Sequence, residues 1–269
     1  MADIHPLAVV DPQAEVAAGA RIGPFCVIGP HVKIGAGTVL ENNVTLTGRV
    51  TIGERNHIHA TTVIGGAPQD LSYCDADTQV IIGDDNVFRE GVTINRGTEK
   101  EDGITLVGSH GYYMAQAHIA HDCRVGDRVV MANGTMLGGH VHVHDDATIS
   151  GNVAIHHFTT VGSYSFVGGL SRVTMDVPPY MLCEGHPARP RCINIVALKR
   201  NGFPQAAIKG LQEAYRLIYR TKARLDDARE ILRANGHMAP QVNHLLSYIE
   251  IQQEGRNGRG RERLRKVAA

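Results

Sequence analysis

Apolar residues recur at every sixth position from the start of the chain to Val173. One series runs from Ile4 to Ile64 and resumes at Ile82, Phe88 and Ile94, and a second, displaced by one residue, runs from Val107 to Val173. The residue two positions before each apolar residue of the second series is usually small, as at Cys123. Two inward positions in a period of six predict short strands joined by turns, and three such sides close a triangular coil of about 18 residues. The sequence therefore predicts a parallel β-helix, although the spacing alone does not set its hand.

Two segments interrupt the period of six. They are "GGAPQDLSYCDADTQV", residues 65–80, and "RGTEKEDGI", residues 96–104, and the second one shifts the register by one residue. Long loops on a rigid scaffold are where binding and catalytic residues concentrate. We therefore expect these two loops to border a functional site.

A helical pattern replaces the period of six after about Pro190, so we divide the chain into a β-helix over 1–190 and a helical domain over 191–269. The stretch "FPQAAIKGLQEAYRLIYRTKARLDDAREILRANG" predicts one helix that ends at Gly236, and "APQVNHLLSYIEIQQ" predicts another. The final "EGRNGRGRERLRKVAA" carries a net charge of +4. This basic tail fits either a solvated terminus or a surface for an acidic protein.

Composition narrows the classes of partner. Lys plus Arg and Asp plus Glu both total 27, so overall charge favours neither nucleic acid nor membrane. No apolar run approaches the roughly 20 residues of a membrane span, and the N-terminus lacks the pattern of a signal peptide, so the predicted location is cytoplasmic. The five cysteines are an odd number without a CxxC pair, which argues against a disulfide framework. Cys26 and Cys123 hold the small inward position and are predicted to fill the core.

The stretch "AHIAHDCRVGD" places histidines and an aspartate at the turn after one predicted strand. Residues 18 apart lie on successive coils about 4.8 Å apart, so Gly139 should lie beside His121 and His140 beside Asp122. His157 follows one coil later. An imidazole hydrogen-bonded to a carboxylate can take a proton from a hydroxyl near neutral pH. The missing side chain at Gly139 leaves space beside the ring and exposes an N–H that can hold an oxyanion.

A metal strand is the alternative for part of this region. In "HVHVH", the outward positions His140, His142 and His144 alternate with inward valines, and imidazole suits zinc. No carboxylate or cysteine shares that spacing. We therefore predict no metal ligands.

The motifs "INRGT", "AHIAHDCRVGD", "GGHV", "DVPPY" and "NIVALKRNGF" resemble those of UDP-N-acetylglucosamine 3-O-acyltransferases, which begin lipid A biosynthesis. The resemblance covers nearly the whole chain, including both loops and the helical C-terminus. It implies an all-β left-handed parallel β-helix, a small α-helical domain and a homotrimer with active sites between subunits. It also implies an (R)-3-hydroxyacyl group carried on the phosphopantetheine of acyl carrier protein, a UDP-sugar acceptor, and no cofactor or metal.

The resemblance also assigns roles to residues of this chain. His121 matches the general base, Asp122 its carboxylate neighbour and Gly139 the oxyanion donor. Gly169 matches the residue that limits acyl-chain length, where glycine admits long chains; a simple turn glycine is the alternative. The positions that match substrate-binding residues are Gln69, Asp70, His118, His140, His156, Asn194 and Arg200.

Several positions depart from the motifs of the best-known members. They are Ser72, Asn95, His157, Pro187 and Asn201. The loss of a cation at 72 and at 201 leaves a 3-amino sugar acceptor, and hence an amide product, as an open alternative. A gamma-class carbonic anhydrase with zinc between subunits is a second alternative. A non-catalytic trimeric scaffold would share the repeat but would have no reason to bring His121, Asp122 and Gly139 together.

Overall fold

The computed structural model describes residues 1–256 and 258–262, and within them 28 strands form three sheets. The first face contains β1 (Asp3–Ile4), β4 (Arg21–Ile22), β7 (Val39–Leu40), β10 (His57–Ile58), β13 (Val87–Phe88), β16 (Tyr112–Tyr113), β19 (Val130–Met131), β22 (Thr148–Ile149), β25 (Phe166–Val167), β27 (Met181–Gly185) and β28 (Ala188–Ile193). The second face contains β2 (Val9–Val10), β5 (Val27–Ile28), β8 (Thr45–Leu46), β11 (Val63–Gly66), β14 (Thr93–Asn95), β17 (His118–Ile119), β20 (Met136–Leu137), β23 (Ala154–Ile155) and β26 (Arg172–Val173). The third face contains β3 (Glu15–Val16), β6 (Val32–Ile34), β9 (Arg49–Ile52), β12 (Gln79–Ile82), β15 (Ile104–Val107), β18 (Arg124–Val125), β21 (His142–Val143) and β24 (Thr160–Val161).

The strand register confirms the predicted coil. Arg124 pairs with His142, eighteen residues later, and strands pair in parallel everywhere except between β27 and β28. Where the first loop is inserted, His57 pairs with Val87, so that coil is two repeats longer. Where the second is inserted, Gln79 pairs with Ile104, which is one repeat and one residue longer. The predicted shift of register by one residue is therefore real, and both insertions leave the stacking of the coils intact.

The interior of the coils is the hydrophobic core. The apolar anchors from Ile22 onward are buried, and so are the small positions that precede them. Cys26 and Cys123 are buried there as free thiols, and burial raises the pKa of Cys123 to about 12, as expected for core residues. The expectation fails at Ile4, which is 42% exposed, because no coil lies below the first one.

The helical region begins directly after β28. The domain boundary at residue 190 stays a prediction. Its helices are α1 (Ile195–Arg200), α2 (Gln205–Tyr215), α3 (Leu225–Ala234) and α4 (Pro240–Gln253), with a π-helical turn over Arg216–Arg220. The prediction of one helix ending at Gly236 is wrong. Lys222 adopts a left-handed conformation, with φ +54, and the amide of Ala223 bonds back to Leu217, so the chain turns and starts α3. The second predicted helix is confirmed as α4.

Buried side chains join the helices to the last coils. Tyr248 on α4 donates to the carbonyl of Thr160 at 3.1 Å, and the hydroxyl of Tyr180 lies 2.7 Å from Nδ1 of His244. The buried apolar residues of the coils and of the helices form one continuous cluster. In the part of the chain that the structure describes, no helix has the length and apolar character needed to cross a bilayer.

Candidate active site

The turns after β17, β20 and β23 stack directly on one another. The amide of His140 donates to the carbonyl of His121, and the amide of Phe158 donates to the carbonyl of Gly139, both at 3.0 Å. Asp122, His140 and Phe158 all have φ near +60, the left-handed conformation of a tight corner. The predicted stacking of these positions on successive coils is confirmed, and it gathers their side chains at one corner of the β-helix.

His121 and Asp122 form a hydrogen-bonded pair in which the carboxylate is fully buried. Nδ1 of His121 lies 2.8 Å from Oδ2 of Asp122. The amide and hydroxyl of Thr98, from the second loop, also donate to this carboxylate, at 2.8 and 2.6 Å. Burial alone would raise the pKa of Asp122, but the hydrogen bonds from His121 and Thr98 outweigh it and hold that pKa below its usual value. An ionised carboxylate only accepts hydrogen bonds, so Nδ1 of His121 carries a proton and Nε2 is left able to accept one.

Gly139 provides space that the His121 ring fills. A Cβ built on Gly139 would lie 2.4 Å from Cε1 and 2.6 Å from Nε2 of His121, closer than real side-chain contacts allow. The amide N–H of Gly139 donates no hydrogen bond to any residue of the described chain. A free N–H beside the base is placed to bind negative charge that develops on a carbonyl oxygen.

His140 and His118 flank this pair. The ring of His140 is buried, stacks on Phe158 with centroids 4.3 Å apart, and meets His121 edge-on at 5.0 Å. Its Nδ1 lies 3.2 Å from Oε1 of Glu101, in the second loop, without hydrogen-bonding geometry. Nδ1 of His118 lies 2.7 Å from the hydroxyl of Thr93, and burial, followed by the nearby His121, lowers the pKa of His118. Both rings therefore border the base without sharing its carboxylate bond.

A cleft of about 440 Å³ is lined by His121 and by residues of both inserted loops. Its lining residues are Asp70, Lys100, His121, Gly138, Gly139, His140, His157, Phe158 and Glu262. Asp70 accepts a hydrogen bond from Nζ of Lys100, and this bond to the ammonium is the main reason that the pKa of Asp70 is well below its usual value. The expectation that the two loops border the site is met.

Other predicted residues lie outside this cleft in the described chain. Gln69 is exposed in the first loop, and His156 is bonded by the guanidinium of Arg259. Asn194 caps α1, accepting from the amide of Ala197 at 3.2 Å, and lines a separate cavity of about 370 Å³. Arg200 is exposed in the last turn of α1, and Gly169 is exposed after β25.

The C-terminal segment reaches the site as well, which the sequence did not indicate. Arg261 donates to the carbonyl of His140 at 2.6 Å, and Oε1 of Glu262 lies 3.4 Å from Nε2 of His157. Thr98 and Lys100 were also missed. Both lie in a loop without periodicity, so counting in repeats does not predict their positions.

The three histidines of the metal-strand alternative make separate contacts in the structure. His140 stacks on Phe158, while Nε2 of His142 lies 2.8 Å from Arg261 and burial lowers the pKa of His142 to about 4. His144 packs edge-on against Tyr248. Among the described residues, no possible metal cluster combines these three histidines.

Comparison with known proteins identifies the family of this chain. Residues 176–260 match the family model described as UDP N-acetylglucosamine O-acyltransferase, domain 2, and residues 4–101 match the model described as GMPPB C-terminal domain. An acyl-[acyl-carrier-protein]–UDP-N-acetylglucosamine O-acyltransferase from Syntrophobacter fumaroxidans is 46% identical over 253 residues, which are 94% of this chain and 98% of that protein. The chain belongs to the UDP-N-acetylglucosamine O-acyltransferase family.

Two solved structures of the family show the same fold. LpxA from Acinetobacter baumannii is 39% identical with a TM-score of 0.88, over 92% of this chain and 96% of that one. The UDP-N-acetylglucosamine acyltransferase of Francisella novicida is 40% identical with a TM-score of 0.86, over 91% of this chain and 90% of that one. This agreement confirms the left-handed parallel β-helix with a small helical C-terminal region.

The departures from the family motifs are held by local contacts of this chain. The amide and hydroxyl of Ser72 both donate to Oδ1 of Asp70 at 2.9 Å, and Asn95 donates to the carbonyl of Ala67 at 2.9 Å. His157 lies beside Glu262, and Asn201 ends α1 with a bond to Ala197 at 2.9 Å. Pro187 lies in the turn between β27 and β28. None of these positions touches the pair of His121 and Asp122.

Proposed function

We propose that this protein transfers an (R)-3-hydroxyacyl group from acyl carrier protein to the 3-hydroxyl of UDP-N-acetylglucosamine, in lipid A biosynthesis. The observation that carries this proposal is the arrangement of His121 between the buried Asp122 carboxylate and the open Gly139 amide. Family membership supports the substrates, because the name of the relative from Syntrophobacter fumaroxidans gives acyl carrier protein as the acyl donor and UDP-N-acetylglucosamine as the acceptor.

In the proposed mechanism, Nε2 of His121 removes the proton from the sugar 3-hydroxyl. The sugar oxygen attacks the thioester carbonyl, and the resulting oxyanion accepts a hydrogen bond from the free N–H of Gly139. The C–S bond then breaks, an ester forms, and the proton on His121 passes to the departing phosphopantetheine thiolate. Asp122 holds the Nδ1 proton throughout and stabilises the imidazolium. A thioester is already an activated acyl donor, so these steps require no metal or other cofactor.

We assign substrate contacts to the residues that border the cleft and to predicted residues that lie apart from it. Asp70, His118 and His140 are close enough to the base to orient the sugar. Gln69, His156, Asn194 and Arg200 are proposed to bind the rest of the UDP-sugar. Because Asn194 lines another cavity, we propose a homotrimer in which a neighbouring subunit completes each site, with cytoplasm as the location.

The test is an acyl-transfer assay with acyl carrier protein thioesters against UDP-N-acetylglucosamine and its 3-amino analogue. We expect an ester product from the hydroxyl sugar. If only the amino sugar is acylated, to an amide, the acceptor named in the proposal is wrong but the acyltransferase activity is supported. Transfer to neither sugar, by protein that is folded and trimeric by light scattering, would refute the proposed function.

A further inference from the structure

A second group of histidines lies at a different corner of the β-helix. His57 ends its strand beside inward-facing Ile58, and His59 follows it, so both imidazoles point outward. Their rings stack with centroids 4.2 Å apart. Glu41 follows β7 and stands eighteen residues before His59, so it lies one coil below that residue. Two coils thus bring two imidazoles and one carboxylate to the same point.

The donor atoms of the three side chains are spaced like the ligands of a metal ion. Oε1 of Glu41 lies 2.9 Å from Nε2 of His57 and 3.2 Å from Nδ1 of His59. All three donors lie within 4.8 Å of one another. Bonds of about 2.0–2.1 Å to tetrahedral zinc put neighbouring donors about 3.4 Å apart. The two distances to Glu41 are within about half an ångström of that spacing.

The surroundings suit a cation and leave room for a further ligand. Oε1 of Glu90 lies 3.6 Å from Nδ1 of His59 and is also paired with Arg89 at 2.9 Å, which makes it a neighbour rather than a donor. The Glu41 side chain is 37% exposed, so water can reach the remaining coordination position.

We propose that Glu41, His57 and His59 form a site for a divalent transition-metal ion of the zinc type. Two imidazoles and one carboxylate are a known ligand set for zinc. The bound ion would tie the end of β7 to the end of β10, on the coil from which the first loop departs. Its role is to hold these coils together, and the proposed acyl transfer does not depend on it.

The experiment is a calorimetric titration of chelator-treated full-length protein with zinc chloride, repeated on His59→Gln and Glu41→Gln. We expect one zinc ion per chain in the wild type, and loss of that binding in both variants. Both side chains reach solvent, so without metal the variants should have the same melting temperature as the wild type. Added zinc should raise the melting temperature of the wild type alone.

Two control variants separate this site from other histidines. His110→Gln changes an exposed histidine near Asp85 and should bind zinc like the wild type. His121→Gln removes the second possible cluster, that of His121, Asp122 and His140, and should also leave binding unchanged. If His121→Gln abolishes the binding while His59→Gln retains it, zinc occupies the catalytic corner and the proposal is wrong. Absence of stoichiometric binding in the wild type would also overturn it.

Discussion

The reactivity of His121 depends on a neighbour that solvent does not reach. Asp122 is buried and receives hydrogen bonds from Thr98 and from His121. These bonds keep the carboxylate ionised at every pH at which the enzyme would be assayed, because they hold its pKa below the usual value. The orientation and tautomer of the imidazole are therefore fixed before substrate arrives, which is the preorganisation that proton transfer requires.

Replacing His121 by Ala should lower kcat by roughly 10² to 10⁴, the usual cost of losing a general base. Asp122→Asn should cost less, because it keeps the ring in place but weakens its polarisation. Steady-state rates with acyl carrier protein thioesters check both variants, and circular dichroism checks their folding. A His121→Ala protein that retained more than about a tenth of wild-type kcat would place the base elsewhere.

Gly139→Ala should lower kcat strongly without unfolding the protein. The new Cβ would overlap the His121 ring, which must then rotate away from the cleft. The matched control is Gly151→Ala, where the nearest atom to a new Cβ is the Asn133 carbonyl oxygen at 3.5 Å, an ordinary contact. Rates and melting temperatures of the two variants make the comparison. Equal kcat values for both would mean that the ring does not need the space beside Gly139.

At the scale of elements, the second loop supplies groups that the coil cannot. It brings Thr98 to the Asp122 carboxylate and Lys100 to Asp70, in the lining of the same cleft as His121. The lining contains the carboxylates of Asp70 and Glu262, whereas the substrate carries a pyrophosphate. Lys100 is the lysine in this lining, so its ammonium can offset the repulsion between these carboxylates and the pyrophosphate.

Lys100→Met should therefore raise KM for the UDP-sugar more than it lowers kcat. The ammonium contributes attraction to the anionic acceptor but takes no part in proton transfer. Lys33→Met is the control, since Lys33 pairs with Glu15 on an early coil. Initial rates over a range of UDP-sugar concentrations separate the two constants. A fall in kcat with KM unchanged would contradict this role.

The repeat explains which elements and contacts could be predicted from the sequence. Positions eighteen residues apart must stack, so the neighbours of His121 and Asp122 followed from counting, and so did the burial of the anchors. Thr98 lies in a loop whose path depends on its own turns, and no period predicts it. The break at Lys222 was missed because a left-handed residue can interrupt a helical pattern without altering its apolar spacing.

Gly169 is a position where substitution should change specificity rather than stability. Its φ is not in the left-handed range, and a new Cβ would meet Ser150 at 3.4 Å, an ordinary contact, whereas at Gly168 it would meet Glu184 at 2.9 Å. The turn therefore does not require glycine at 169. By coil spacing the residue lies about 13 Å along the axis from His121, near the end of an extended acyl chain.

Gly169→Met should accordingly shift the preference toward shorter 3-hydroxyacyl chains, and Gly169→Ala should do so less. Filling the end of the acyl groove disfavours long chains by roughly 1–3 kcal/mol, the usual cost of overpacking. The measurement is kcat/KM over a series of acyl carrier protein thioesters. Identical chain-length profiles for the three proteins would leave Gly169 without a role in selecting the chain.

At the scale of the whole molecule, zero net charge hides an uneven distribution. Lys199 and Arg200 are exposed at the end of α1, and Lys222 and Arg224 are exposed in the turn before α3. In the basic tail, Arg261 bonds to the corner of the site, while residue 257 and residues 263–269 lie outside the described chain. We propose that the exposed basic residues of the helices form a surface for the acidic carrier protein.

KM for acyl carrier protein should rise with ionic strength, because attraction between a basic surface and an acidic partner speeds their encounter and is screened by salt. Lys222→Glu combined with Arg224→Glu should raise KM severalfold at low salt and flatten its salt dependence, while kcat stays the same, since neither residue lies near the cleft. Lys33→Glu, on the opposite end of the β-helix, should behave like the wild type. Initial rates at fixed UDP-sugar over a salt series give these values. A KM that does not change from low to high salt would show that the helices are not where the carrier docks through charge.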